Sequence, residues 1–160
     1  MKFKIRPIAE SDNKALASVI RKALEDFGAA KPGTVYTDPT TDDLYTLFQE
    51  EGSIYFVLVN EKEEVLGGCG IFPTKNLPKT YAELVKLYVD GSIRGKGFGK
   101  LLMEKCINWA KDYYSALYLE TLPELDKAVT LYEQLGFKRL SKRIGESGHF
   151  ACNLWMLKKL

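Results

Sequence analysis

Apolar and polar positions along this chain change period several times, and each change marks a new element. Lys2 to Ile8 alternates charged and apolar residues, the period-2 pattern of a half-buried strand. Leu16, Val19, Ile20, Ala23, Leu24 and Phe27 then follow the 3.6-residue period of a helix, with Ser11 placed to cap it. Ala29 to Pro39 holds two prolines and a glycine and reads as a loop. Thr40 to Asp43 has the form of a capping box opening a short helix with Leu44, Leu47 and Phe48. Ile54 to Val59 is a strand, Asn60 to Glu63 a turn, and Val65 to Phe72 the hairpin partner. Ala82 to Val89 is the next strand. A helix reaching about Tyr114 follows, burying Phe98, Leu102, Cys106, Trp109 and Tyr113. Leu117 to Glu120 is a short strand, and Pro123 to Leu135 a helix stopped by Gly136. Phe137 to Arg143 and Phe150 to Leu157 complete the pattern. It predicts one α/β domain over residues 1–160, with no repeat and no linker.

The densest chemical signal lies where Val85-Lys86-Leu87-Tyr88-Val89 runs into Arg94-Gly95-Lys96-Gly97-Phe98-Gly99. Glycines lacking Cβ let the main chain approach a ligand closely. The first amides of a helix have no intrahelical partner, and the helix dipole leaves that end partly positive. A strand, a basic glycine loop and a helix start therefore form a site for a phosphate or pyrophosphate. Two well-known phosphate loops fail on spacing. Gly91 stands one residue too close to Gly95-Lys96 for a P-loop, and Gly97 replaces its hydroxyl residue. The dinucleotide fingerprint requires a third glycine where Lys100 or Leu102 stands.

Arg94-x-x-Gly97-x-Gly99 instead resembles the acyl-CoA pyrophosphate loop of the GCN5-related N-acetyltransferase (GNAT) family. Leu131-Tyr132-Glu133-Gln134-Leu135-Gly136-Phe137 is similar to that family's second block, and the two stand in its order and at its separation. The resemblance covers residues 80 to 140. It implies a mixed, mostly antiparallel sheet of about seven strands, helices on both faces, and strands splayed at the acyl-CoA site. It further implies that Gly95, Lys96, Gly97, Phe98, Gly99 and Lys100 cradle the pyrophosphate, that Arg94 closes the loop, and that Leu87, Tyr88 and Val89 bond the pantetheine arm through their main chain. Many members carry an asparagine where Leu125 stands, so that contact is not carried over.

By the same resemblance Tyr132 is the candidate general acid for the departing thiolate, and Glu83 the candidate general base for the amine. Each has a plainer alternative. Tyr132 belongs to an apolar stripe with Leu125, Ala128, Val129 and Leu135, and could be a core aromatic. Glu83 could be a solvated carboxylate at a strand entrance. By strict alternation it shares a face with Val85, Leu87 and Val89, an apolar setting that would raise its pKa; a bulge would break that parity. Glu120 is a second carboxylate, equally suited to meeting a surface lysine. A structural or solvated role is expected for His149, and buried inert thiols for Cys69, Cys106 and Cys152.

Composition narrows the partners. A net charge of +2 argues neither for nucleic acid nor for an anionic membrane, and no segment approaches the ~18 apolar residues of a span. The N-terminus lacks a signal-peptide core. An odd number of scattered cysteines suggests reduced thiols in the cytoplasm, and one histidine without clustered cysteines suggests no metal. The co-substrate implied by the resemblance is acetyl-CoA. The expected acceptor is a small amine or amino-acid-like molecule, with Phe27, Tyr36, Tyr45, Phe48, Phe72 and His149 as wall candidates. A protein lysine or N-terminal amine, a non-catalytic acyl-CoA-binding module, a nucleotide-binding protein and a homodimer stay open.

Overall fold

The computed structural model describes residues 2–160. Seven strands form one sheet: β1 (Phe3–Pro7), β2 (Ile54–Asn60), β3 (Val65–Phe72), β4 (Tyr81–Val89), β5 (Ala116–Thr121), β6 (Lys138–Leu140) and β7 (Leu154–Lys159). Their spatial order is β1-β2-β3-β4-β5-β7-β6, antiparallel throughout except between β4 and β5. Pro7 is tolerated because β1 is an edge strand. Helices α1 (Asn13–Asp26) and α2 (Leu44–Leu47) cover one face, where Leu16, Ile20, Leu24 and Leu44 pack on Tyr55, Val57 and Val59. Helices α3 (Phe98–Ala110) and α4 (Asp126–Gln134) cover the other, where Leu102, Met103, Cys106 and Tyr132 pack on Leu58, Ile71, Leu84, Leu117 and Leu119.

The single parallel pair decides where a ligand can enter. β4 and β5 are in register only over Tyr81–Ala116, Ala82–Leu117 and Glu83–Tyr118. Beyond Glu83 the two strands diverge, so the centre of the sheet is open between Leu84–Val89 and Leu119–Thr121. This is the predicted splay.

β4 also carries a bulge. From Gly68 to Gly70 β3 advances two residues, while β4 advances three, from Tyr88 back to Val85. Lys86 adopts φ 55° to accommodate the extra residue, an uncommon left-handed conformation for a side-chain-bearing residue. Tyr55 supports this conformation. Its ring lies where Gly68 and Gly70 leave room, since a Cβ there would meet it at 2.4 and 2.6 Å. Its hydroxyl donates to the Lys86 carbonyl at 2.7 Å, satisfying a buried acceptor freed from the ladder.

The bulge corrects the expected parity. Leu87 and Val89 do not share a face with Glu83 and Val85; they join Ala82 and Leu84 against α3 and α4, while Val85 and Tyr88 face α1. Other expectations change too. Ser11 does not cap α1: Glu10–Asp12 is a 3₁₀ turn in which the Asp12 carboxylate accepts from the Ala9 amide at 2.7 Å and pairs with Arg6 at 2.8 Å. Asp43, not Thr40, caps α2 by accepting from the Thr46 amide. Helix α3 ends at Ala110, and Tyr113 lies beyond it, 64% exposed rather than buried. The last strands are shorter than expected because residues 141–153 leave the sheet, and His149 and Cys152 of that segment border the opening.

Candidate active site

The loop after β4 is held from outside. The Arg94 Nε donates to the Val89 carbonyl at 3.0 Å, its Nη1 meets Asp26 Oδ2 at 3.2 Å, and its guanidinium stacks 4.7 Å above the Phe27 ring. Arg94 thus ties the loop to the end of β4 and to α1. Gly95 and Gly97 take φ 77° and 86°, conformations that favour glycine. Gly97 is the N-cap of α3, and a Cβ on either glycine would meet nothing within 4 Å among the described residues. The main chain over the helix start is consequently bare and open, as an anion cradle requires.

A cavity of about 380 Å³ runs from this loop through the splay. Leu87, Tyr88, Val89, Arg94, Gly95, Gly97, Phe98, Gly99 and Lys100 line it; Lys96 lies outside, exposed on the loop. Leu122, Leu125, Ala128, Leu131 and Tyr132 line the opposite wall. Tyr132 is 7% exposed, and its hydroxyl makes no hydrogen bond among the described residues. Burial pushes that phenol well above its ordinary pKa, so it stays protonated across any practical pH. Leu125 occupies the position where the asparagine is missing and presents only an apolar side chain to the cavity.

The far end of the cavity is polar and largely buried. Glu83 is 3% exposed and accepts a 2.5 Å hydrogen bond from Thr74 Oγ1. Burial raises its pKa from 4.5 to about 7, with Glu120 adding to the rise and the Thr74 hydroxyl opposing it. Glu120 does not meet a surface lysine. Its side chain is 1% exposed, pairs with Arg143 Nε at 3.2 Å, and accepts from the Tyr118 hydroxyl at 2.7 Å and from Ser147 Oγ. His149 Nε2 lies 2.7 Å from Asp38 Oδ2, and this bond holds the Asp38 carboxyl well below its usual range. Cys152 also borders the cavity, but burial pushes its thiol up to about 12, which leaves no thiolate for nucleophilic attack at neutral pH. All three cysteines are buried and free.

Segment 141–153 and the loop after α1 close this end together. The Ala151 amide donates to the Gly33 carbonyl at 3.0 Å, the Phe150 ring packs over Gly33, and Asp38 reaches across to His149. Of the expected aromatic walls only Phe27 and His149 border the cavity. Phe48 and Phe72 instead meet edge to face with ring centroids 5.7 Å apart, and Phe48 also packs against Tyr55 at 5.0 Å, inside the α1 core. Tyr36 donates to Glu25 at the surface, and Tyr45 stands clear of the cavity. Sequence reasoning passed over Lys86, Asp38, Thr74, Tyr118, Arg143 and Ser147. Only Lys86 left a visible signal, a lone charge inside an apolar strand.

The Glu83 shift makes a prediction about stability. Between pH 4.5 and 7 the folded state retains a proton that the unfolded chain releases, so stability falls as pH rises through that window and the full cost persists above it. The loss should be about 3 kcal/mol. Urea unfolding from pH 4.5 to 8 should show this slope in the native protein and lose it in Glu83→Gln. An equal slope in both would contradict the buried, perturbed carboxyl.

Known proteins share this architecture. Residues 16–137 match the acetyltransferase (GNAT) family. Over 158 residues, 98% of this chain and 94% of its counterpart, the sequence is 37% identical to the uncharacterized N-acetyltransferase YjgM of Escherichia coli K12. A GNAT acetyltransferase from Staphylococcus aureus Mu50 superposes with a TM-score of 0.86 at 19% identity, covering 99% of both chains. The PaiA N-acetyltransferase of Thermoplasma acidophilum, solved in complex with coenzyme A, superposes at 0.77 and 17% identity over the whole of both chains. The chain belongs to the GNAT acetyltransferase family. It is an acetyl-CoA-dependent N-acetyltransferase of that type.

Proposed function

We propose that this protein transfers the acetyl group of acetyl-CoA directly to a small primary amine or amino-acid-like acceptor, both substrates being bound together. The observation that carries the reading is the single cavity joining the glycine loop, the splay, Tyr132 and Glu83. The pyrophosphate sits on the main-chain amides of residues 95–100, with Lys96 and Lys100 adding charge from the rim. Leu87, Tyr88 and Val89, released from pairing with β5, offer main-chain groups to the pantetheine amides as an added strand would. Arg94 keeps the loop in place rather than binding phosphate.

The acetyl end then lies in the splay between Tyr132 and Glu83. Main-chain amides of β4 polarise the thioester carbonyl. Glu83, with a pKa of about 7, takes a proton from the ammonium group of the acceptor, directly or through water. The freed nitrogen attacks the carbonyl carbon, the carbon–sulfur bond breaks, and the Tyr132 hydroxyl protonates the departing thiolate. The surplus proton on the acylated nitrogen passes through solvent to restore the phenol, and Glu83 releases its own proton to bulk water, leaving the amide, the free thiol and one proton. The contacts closing the far end between Gly33, Asp38, His149 and Ala151 favour a small acceptor over a protein side chain.

Thiol release from acetyl-CoA over a panel of small amines, amino acids and lysine peptides tests this. Release with small acceptors is expected. Release with peptides alone would move the assignment to a protein acetyltransferase, and coenzyme binding without release from any amine would indicate a non-catalytic module.

A further inference from the structure

Lys86 has no role in the chemistry above, yet the fold holds it in the site at a cost. It is 8% exposed, and its bulged, left-handed backbone is sustained by the Tyr55 hydroxyl. Strained backbone of this kind persists where surrounding structure enforces it, most often at functional sites. Strict alternation would place the side chain opposite Glu83. The bulge instead brings its charge within electrostatic reach of Glu83, Asp38 and Cys152, at the polar end of the cavity.

Every other ion at that end has a partner. Glu120 is taken by Arg143, Tyr118 and Ser147. Asp38 is taken by His149 and by the Thr40 amide and hydroxyl. Glu83 is held by Thr74. The Lys86 ammonium makes no hydrogen bond and no ion pair within 4.0 Å among the described residues, and it is not fully enclosed, keeping some surface open toward the cavity it borders. A largely buried cation whose neighbouring carboxylates, Asp38 and Glu83, lie beyond 4.0 Å and are engaged by His149 and Thr74 is poorly compensated until an anion enters the cavity. Leu87 and Val89, which face the opposite layer, and the distant glycine loop serve the coenzyme. The anion that Lys86 awaits therefore belongs to the acceptor.

We infer that Lys86 binds a carboxylate of the acceptor, so that the amine acetylated here is an amino acid or a close analogue whose carboxylate pairs with Lys86 Nζ while its amino group faces Glu83. This rests on the acetyl-transfer reading and narrows its acceptor class. Lys86 acts as a specificity residue; no bond is made or broken at its nitrogen. Burial lowers its pKa when the site is empty, and an arriving carboxylate would restore the charged form.

The test uses matched acceptors: amino acids, the corresponding carboxamides and the corresponding decarboxylated amines. Thiol release is measured with native protein, Lys86→Met and Lys86→Arg. The native protein should favour the carboxylate member by at least about 100-fold in kcat/KM, the size expected when a buried ionic partner goes unmatched. Lys86→Met should bring that ratio near one, chiefly through the acceptor KM, with the KM for acetyl-CoA unchanged. Lys86→Arg should restore part of the preference. The Met variant should melt no lower than the native protein, which separates this role from a structural one.

Calorimetric titration of the same acceptors into CoA-saturated protein provides a second readout. Carboxylate-dependent binding lost in Lys86→Met, without turnover by any variant, would support the acceptor site while refuting catalysis. Turnover showing no carboxylate preference, an equal loss for all three acceptor types in Lys86→Met, or a weakened coenzyme affinity as its only effect would each overturn the inference. So would the absence of both turnover and acceptor binding.

Discussion

Glu83→Gln should lower kcat by about 10²–10⁴-fold, the range for removing a positioned general base. The native kcat/KM should rise with pH through about 7, following the carboxyl group that must be ionised to accept the proton. The Gln variant keeps the size of the side chain and can still accept the 2.5 Å hydrogen bond from Thr74, so the pocket should stay intact. Its remaining activity should follow the ionisation of the acceptor amine instead, shifting the rising limb upward by more than one pH unit. Coenzyme affinity should not change. A variant retaining near-native kcat and the limb at pH 7 would remove Glu83 from the chemistry, leaving Glu120 a poor substitute because Arg143, Tyr118 and Ser147 already occupy its carboxylate.

Tyr132→Phe is the second large effect. The ring packs with Phe137 at 6.0 Å in the layer beneath α3 and α4, and Phe preserves that contact. The hydroxyl alone is lost, and it bonds to nothing else among the described residues, so stability should change by less than about 1 kcal/mol. The kcat should nonetheless fall by about 10²-fold or more, with little change in the KM of the acceptor or the coenzyme. An acyl donor with a more acidic thiol, which needs less help in leaving, should recover much of the loss. Native turnover in Tyr132→Phe with a tightly bound amine would make Tyr132 a core aromatic only.

These effects arise from features that differed in how plainly the chain announced them. The glycine loop was legible because glycines, a strand and a helix start place main-chain amides together wherever they fall in that order. The element order was legible from periodicity, and the splay followed from the family's fold. The polar end of the cavity was not. Its members come from the loop after α1, the β3–β4 connection, β4, β5 and segment 141–153, so their meeting is a tertiary event that no local pattern records. The parity of β4 failed for a related reason. The bulge at Lys86 depends on Tyr55 filling the room left by Gly68 and Gly70, two strands away. The juxtaposition of the β3 glycines with one tyrosine is a tertiary contact that their local pattern does not record. Aromatic residues were misplaced as cavity walls because the same residue types also build cores, as Phe48 and Phe72 do here.

The central claim is that backbone amides at residues 95–100 seize the twin phosphates of coenzyme A and thereby set the thioester between β4 and β5. Isothermal titration of the protein with coenzyme A and, separately, with pantetheine, which lacks the pyrophosphate, tests it most directly. Saturable heat is expected with coenzyme A, and binding at least about 100-fold weaker with pantetheine, a difference of ~2.7 kcal/mol or more. No heat with coenzyme A, or equal affinity for the two, would contradict it.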